Sequence, residues 1–350
     1  MKITLRAAIS VATLLLIVFL LWATRHELQQ AWLLLERVNL WILSLIIPLI
    51  LLNYYSAGEM IFSYLRQKGS IKHVSSLEQM RMSLEMNFVN HALPSGGASG
   101  VSYMTWRLSR YGVSTSRAAM AQVVRFVAGF AAFSVLLVVA VLLVTVDGGV
   151  NRWVILVSST LVSLMIAATV GGIYALRSKT RLHAVSVWTE KIVNRLTYKL
   201  TRGRKRVLVR QEKLEAFLLD MHEDYKSLWR DSRILKKPFW WGVVFTSTDV
   251  AMFFVAFWSL GAIVNPAPIL LAYGLATIAG FAVLTPGGSG AYEALMVSFL
   301  AISGLAQGTA LAGVILARMI ILLVIIALGY AFYQHALVKY GKKPDASTSL

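Results

Sequence analysis

The sequence predicts an all-α polytopic membrane protein: about six full transmembrane helices plus two re-entrant broken hairpins in an inverted-topology repeat. Three observations lead there. Long stretches carry no Asp, Glu, Lys or Arg; two apolar stretches are interrupted by matched Pro/Gly clusters; and the basic residues are gathered in a few segments.

Of 350 residues, 57% are hydrophobic and 14% charged, against about 25% charged in a typical soluble domain. The charge-free runs are 7–24, 38–58, 126–146, 153–176, 250–292, 294–317 and 319–338. A bilayer core needs roughly 20 apolar residues per helix, and most of these runs suffice. Strands of a membrane barrel alternate polar and apolar positions. Stretches such as VLLVVAVLLV are apolar all round, so helices are expected.

Full crossings are expected at about 4–23, 40–60, 118–146, 152–176, 238–262 and 308–335. The first is read as a retained span, because its apolar run exceeds the roughly 7–15 residues of a signal-peptide core. The net charge of +18 would suggest nucleic acid in a soluble protein. Here 29 of the 34 Lys and Arg lie in 2–6, 66–81, 107–117, 177–237 and 339–343, the pattern of positive loops on the cytoplasmic side. Both termini and the long central segment are therefore placed in the cytoplasm, and no nucleic-acid partner is expected. Segment 177–237 reads as basic amphipathic helices on an anionic leaflet, and 336–350 as a disordered cytoplasmic tail.

Two pieces do not fit as simple spans. Segment 77–110 begins and ends in basic sequence and contains LPSGGASG at 93–100; segment 267–305 contains LTPGGSG at 284–290. Arg125 lies 31 residues after Pro94, and Arg318 lies 32 after Pro286. Asp249 precedes Pro286 by 37 residues, and Glu59 precedes Pro94 by 35. Two units (about 40–146 and 238–335) thus share the order span, broken hairpin, arginine-bearing span, and enter from opposite sides. In inverted-repeat transporters such paired interruptions mark the binding site. Two short full spans in place of each hairpin would preserve the same parity.

The chemistry of the breaks follows from their residues. Proline ends a helix, glycine lets another group approach closely, and the next half-helix offers unsatisfied N–H groups and a positive dipole end to an anion. Asn87 and Asn90 add amides on one helical face, and Ser95, Ser99 and Ser102 add hydroxyls. Tight packing through small residues is the alternative use of the glycines. An Arg or Asp at the bilayer centre costs roughly 2.5–3.5 kcal/mol even on the lenient scale, so each needs a partner or water. Arg125, Asp249, Glu293 and Arg318 are in that position. Either they form two ion pairs, for example Glu293 with Arg318 and Asp249 with Arg125, or the arginines face a lipid phosphate while the carboxylates balance charge or take a proton. Arg107 is expected nearer the surface, snorkelling.

Cysteine is absent, which removes thiolate chemistry and disulfides. The six His show no metal-ligand spacing, and no GxxxxGK[ST] loop is present. No cofactor, metal or catalytic residue is expected; a membrane enzyme using Glu293 or His91 as acid/base would lack a nucleophile or metal.

The patterns N-x-x-x-P-S-G-G (Asn90–Gly97, followed by Arg107), P-G-G-S-G-x-Y-E (Pro286–Glu293) and A-R-M-I (Ala317–Ile320) resemble the lysylphosphatidylglycerol synthase transmembrane-region family, over about 5–335. This family corresponds to the flippase half of the multiple peptide resistance factor. The resemblance implies a single flippase-like domain over 1–335 that moves an anionic or aminoacylated phospholipid, or a lipid-linked sugar, between leaflets. It places binding on Asn90, Pro94, Gly97, Arg125, Pro286, Gly287, Gly288, Gly290, Glu293 and Arg318, to which the residue reading adds Asn87, Gly96 and Asp249. The soluble aminoacyl-transferase domain of the full-length synthases has no counterpart in the chain, so lipid synthesis is not implied. A non-transporting subunit that scaffolds a cell-envelope synthase is the alternative reading. A synthase partner and a homo-oligomer both stay open.

Overall fold

The computed structural model describes residues 24–71, 74–93, 97–146, 231–282 and 290–340, with isolated positions between 14 and 22 and between 156 and 226. Among these residues every regular element is helical. In chain order they are α1 (Arg25–Leu35), α2 (Leu40–Ser44), α3 (Ile46–Gln67), α4 (Ser76–Ala92), α5 (Ala98–Ser109) and α6 (Thr115–Val146). A 3-10 turn (Ser232–Leu235) then leads into α7 (Lys236–Ser259), α8 (Pro266–Ala282), α9 (Ala291–Ile302) and α10 (Gln307–Val324). A π-helical turn at Ile325–Gly329 joins α10 to α11 (Tyr330–Tyr340).

Four stretches are long and apolar enough to cross a membrane: Leu40–Gln67, Thr115–Leu142, Arg233–Ser259 and Gln307–Tyr340. They match four of the six expected crossings. The expected spans at 4–23 and 152–176, and most of 177–237, lie outside the described residues. Two boundaries differ from expectation for physical reasons. The first span continues past 60 to Gln67, because Glu59 pairs with Arg66 on the same helix and the two charges offset each other. The last helix runs to Tyr340 rather than fraying from 336: Ala336 is fully buried and the Tyr340 ring lies against Arg107.

The two halves superpose in sequence under one shift. Gly97 and Gly290 precede α5 and α9, and the bounds of those two helices, 98–109 and 291–302, differ by the same 193 residues. Arg125 and Arg318 are also 193 apart. Both glycines have positive φ, 92° and 88°, where a side chain would be strained. The helices before the breaks, α4 and α8, both have 17 residues, and those after, α5 and α9, both have 12. The same shift sets Asp249 opposite Ser56 rather than Glu59, so the acidic pairing suggested by counting back from the prolines is not retained.

Helices α3 and α7 form the most extensive contact and lie at the centre. Each hairpin folds on itself, α4 on α5 and α8 on α9, and then packs against the long span of the other half. Thus α8 packs on α6, while α4 packs on the π-helical turn and α11. Exposed Trp41 and Trp240 sit near span ends, positions that suit a membrane interface.

Close packing between α4 and the π-helical turn depends on Gly329. A Cβ there would stand 2.6 Å from Phe88 Cβ and 3.1 Å from the Leu84 carbonyl oxygen, neither of which can rotate away. Gly329→Ala is expected to force the two elements apart and destabilise by about 1–3 kcal/mol, seen as a lower midpoint of thermal unfolding in detergent.

Candidate functional site

Of the sequence-predicted residues, the structure places Asn87, Arg125, Asp249, Glu293 and Arg318 along one polar chain that crosses the bundle. It begins in the first half. Arg125 on α6 is half-buried; its Nη1 lies 3.5 Å from Met86 Sδ and its guanidinium 5.8 Å from the Phe126 ring centre. Among the described residues no carboxylate is within ion-pair distance of it. Tyr54 of α3 interacts electrostatically with both Arg125 and Asp249. Asn87 of α4 donates through Nδ2 to Tyr54 Oη at 3.1 Å.

The expected pair of Asp249 with Arg125 does not form. Asn53, adjacent to Tyr54 on α3, donates to Asp249 Oδ1 at 3.0 Å, and Tyr273 of α8 donates to Asp249 Oδ2 at 2.6 Å. The carboxylate is satisfied by neutral donors because α3 and α8 bring their hydroxyl and amide groups closer than α6 brings its arginine. Asn53 lies on the face of α3 that meets α7, while Tyr273 sits mid-α8 against Phe133 and Phe253. Thr277, one turn further along α8, hydrogen-bonds Tyr273 and also Tyr292 of α9.

The other expected pair does form. Arg318 Nε lies 3.0 Å from Glu293 Oε1, and the same guanidinium sits 4.1 Å above the Tyr292 ring. Glu293 Oε2 also accepts the Gly290 N–H at 2.6 Å. Glycine has no side chain to return the favour to the third helical residue, so only this half of a capping box exists. Glu293 therefore occupies the place where a helix N-terminus and an arginine would hold an external anion.

In the first half, the equivalent helix start is capped differently. Asn90 Oδ1 accepts the Gly100 N–H at 2.7 Å, and Ser99 Oγ donates to Val89 O at 3.3 Å. A Cβ on Gly100 would meet the Asn90 amide at 2.4 Å, so that glycine admits the cap. Ser102 turns back to the Ala98 carbonyl. His91 Nδ1 donates to Asn87 O at 3.0 Å, and the ring lies within electrostatic range of Arg318, which links the two halves. Of the predicted residues, Asn87, Asn90, Gly97, Arg125, Asp249, Gly290, Glu293 and Arg318 are thus placed. Pro94, Gly96, Pro286, Gly287, Gly288 and Ser95 lie outside the described residues.

A second charged cluster was not foreseen. Arg107 does not snorkel: it is 1% exposed. Its Nε donates to Glu85 Oε2 at 2.8 Å and its Nη2 to Glu78 Oε1 at 2.6 Å. Tyr103 and Tyr111 donate to the same two carboxylates, and the Tyr340 ring lies 4.4 Å from the guanidinium. Glu78 and Glu85 are seven apart on α4 and so share a face; that spacing, facing an arginine in the returning arm, was the available signal. The cluster clasps both arms of the first hairpin to the end of the last helix. Among the described residues no group of three His, Asp or Glu is arranged to hold a metal.

A bundle with long apolar spans and an interior line of ionisable groups defines a multi-pass helical membrane protein. Its family follows from the whole chain: the model of the lysylphosphatidylglycerol synthase TM region matches residues 4–329. The chain belongs to that family. Among curated proteins none matches the chain.

Breaking the second cluster tests its structural weight. Glu85→Ala leaves the Arg107 charge buried with one partner fewer and is expected to destabilise by about 3–5 kcal/mol. Replacing Arg107, Glu78 and Glu85 together by apolar residues is expected to recover much of that loss; thermal unfolding in detergent compares the two.

Proposed function

We propose that the protein is a lipid flippase-like translocator of the bacterial cytoplasmic membrane. It moves an anionic or aminoacylated phospholipid, or a glycolipid, between leaflets, and carries out no chemical step on it. The observation that carries this reading is the inequality of the two equivalent arginines. Arg318 has Glu293 as its counterion, whereas Arg125 has no carboxylate within ion-pair distance among the described residues and meets a thioether and the Phe126 ring. An intramembrane arginine that lacks a protein counterion calls for an anionic group or water, and a lipid phosphate supplies the first.

Three further features support the reading. Membership of the lysylphosphatidylglycerol synthase TM region family ties the fold to lipid. Helices α5 and α9 have 12 residues each, about 18 Å of helix against a hydrocarbon core of about 30 Å, which suits re-entrant arms. The basic loops on either side of α4–α5 and the uncharged flanks of α8–α9 put the hairpins on opposite sides of the membrane by the positive-inside rule, with both termini cytoplasmic. Rocking of one half against the other around the α3–α7 contact would expose the polar chain to each side in turn.

The test is exchange of a headgroup-labelled lipid in proteoliposomes. Arg125→Gln, Arg318→Gln and Glu293→Gln are each expected to abolish exchange while leaving the protein inserted and monodisperse. Exchange at the unaltered rate in Arg125→Gln and Arg318→Gln would overturn the assignment.

A further inference from the structure

The half-buried carboxylate of Asp249 is held by neutral groups. It sits mid-way along α7, and no cation lies within ion-pair distance among the described residues. Its two donors come from two other helices, Asn53 on α3 and Tyr273 on α8. One of them is over-subscribed. Asn53 Nδ2 faces the Phe245 carbonyl at 3.0 Å, Thr248 Oγ1 at 2.9 Å and Asp249 Oδ1 at 3.0 Å, yet an amide nitrogen carries two hydrogens. The charge on Asp249 is therefore held by one full hydrogen bond from α8 and a shared one from α3.

A hydroxyl line leads away from this carboxylate. Tyr273 donates to Asp249 Oδ2, Thr277 hydrogen-bonds Tyr273 and Tyr292, and Tyr292 lies under the Arg318 guanidinium beside Glu293. The line ends at the second break, where the half-helix α9 starts. With the Thr277 hydroxyl turned to accept from Tyr292 and donate to Tyr273, a proton can pass along it with every hydroxyl neutral before and after. Tyr292 gives its hydrogen to Thr277 and takes one from solvent. Thr277 then gives one to Tyr273, and Tyr273 gives one to Asp249.

We propose that Asp249 is a proton-exchange site, loaded through the Tyr273–Thr277–Tyr292 line, that couples movement of α8 against α7 to proton transfer. The mechanism is geometric. The line delivers the proton while the Tyr273 hydrogen bond is in place; when α8 shifts and that bond breaks, the carboxylate keeps only its shared donor and, in an apolar surrounding, holds the proton. Return of α8 restores the donor and releases the proton. Other titratable groups near Asp249 set the background: Tyr54 on α3, Arg125 on α6 beyond it, Tyr273 on α8, Tyr292 on α9 and, through Tyr292, Arg318 on α10. Helix α2 brings none, and the 3-10 turn carries Arg233 at the far end of α7. This inference rests on the flippase reading for its purpose, although the proton site itself does not.

Two measurements on the full chain in lipid vesicles separate the two. The first is infrared spectroscopy of the protonated-carboxyl stretch during a pH titration. The expected result is a band that titrates in the wild type, is lost in Asp249→Asn and is shifted in Tyr273→Phe. A spectrum with no titrating band removed by Asp249→Asn overturns the proposal, whatever the transport result. The second is exchange of a headgroup-labelled anionic phospholipid with and without a pH gradient of about one unit, which biases a one-proton step by up to about tenfold. Acceleration in the wild type but not in Asp249→Asn supports coupling. Wild-type exchange indifferent to the gradient overturns coupling while leaving the flippase reading intact. Absent exchange in the wild type overturns the flippase reading, and the infrared titration then decides the proton site alone.

Discussion

A charged side chain inside hydrocarbon must be met by an opposite charge, by several hydrogen-bond donors or by water, and the arrangement of this bundle follows from how that demand is distributed. Glu59 is met within its own helix, Arg107 by two carboxylates from the neighbouring arm, Arg318 by Glu293, and Asp249 by neutral donors from two helices. Arg125 alone among these is met by soft and aromatic groups. The gradation matters. A doubly ion-paired, fully buried Arg107 is fixed, whereas groups with neutral or weak company can change partner at modest free-energy difference.

The two halves reach the same backbone geometry with different side chains. Both broken segments resume as a helix after a positive-φ glycine, at positions 97 and 290. The first start is capped from the incoming helix by Asn90, a neutral acceptor; the second is capped from within by Glu293, which also holds Arg318. Under the shift that relates the halves, Glu293 corresponds to Gly100, the residue whose N–H Asn90 takes. A side chain at 100 would displace the Asn90 amide and with it the cap, so the neutral cap and an equivalent carboxylate exclude each other in the first half. The charge difference between the halves is built into the sequence at this one pair of positions.

Much of this was legible in the sequence because hydrocarbon thickness imposes length and polarity on spans. Thr115–Val146 was expected at 118–146 and Lys236–Ser259 at 238–262. The Glu293–Arg318 pair was also legible, as two lone charges in one apolar region. What could not be read were contacts between segments distant in sequence. Arg107 reaches Glu85 and Glu78 across 22 and 29 residues, and only the folded hairpin brings them together. Asp249 was matched to Arg125 by charge, yet charge does not decide proximity: Asn53 and Tyr273, both uncharged, are held nearer by the α3–α7 and α7–α8 contacts.

The Arg107 cluster and the Asp249 line also divide the first and second hairpins by mobility. The first hairpin is clasped at both arms: Glu78 and Glu85 on α4, Arg107 and Tyr103 on α5, with the Tyr340 ring closing over them. Its aromatic contacts with the last helix, Phe88 and Tyr103 against Tyr333, run along the same seam. Among the described residues the second hairpin is joined to α7 by the Tyr273–Asp249 hydrogen bond and apolar packing, and to α10 by the Glu293–Arg318 pair. The Arg107 ion pairs lock the two arms of the first hairpin to each other, so that hairpin moves only as a unit with the aromatic seam it shares with the last helix, whereas the α7–α8 junction shifts by breaking one hydrogen bond. If one half moves against the other, the second hairpin is therefore the element that slides, and the carboxylate that loses its donor is Asp249.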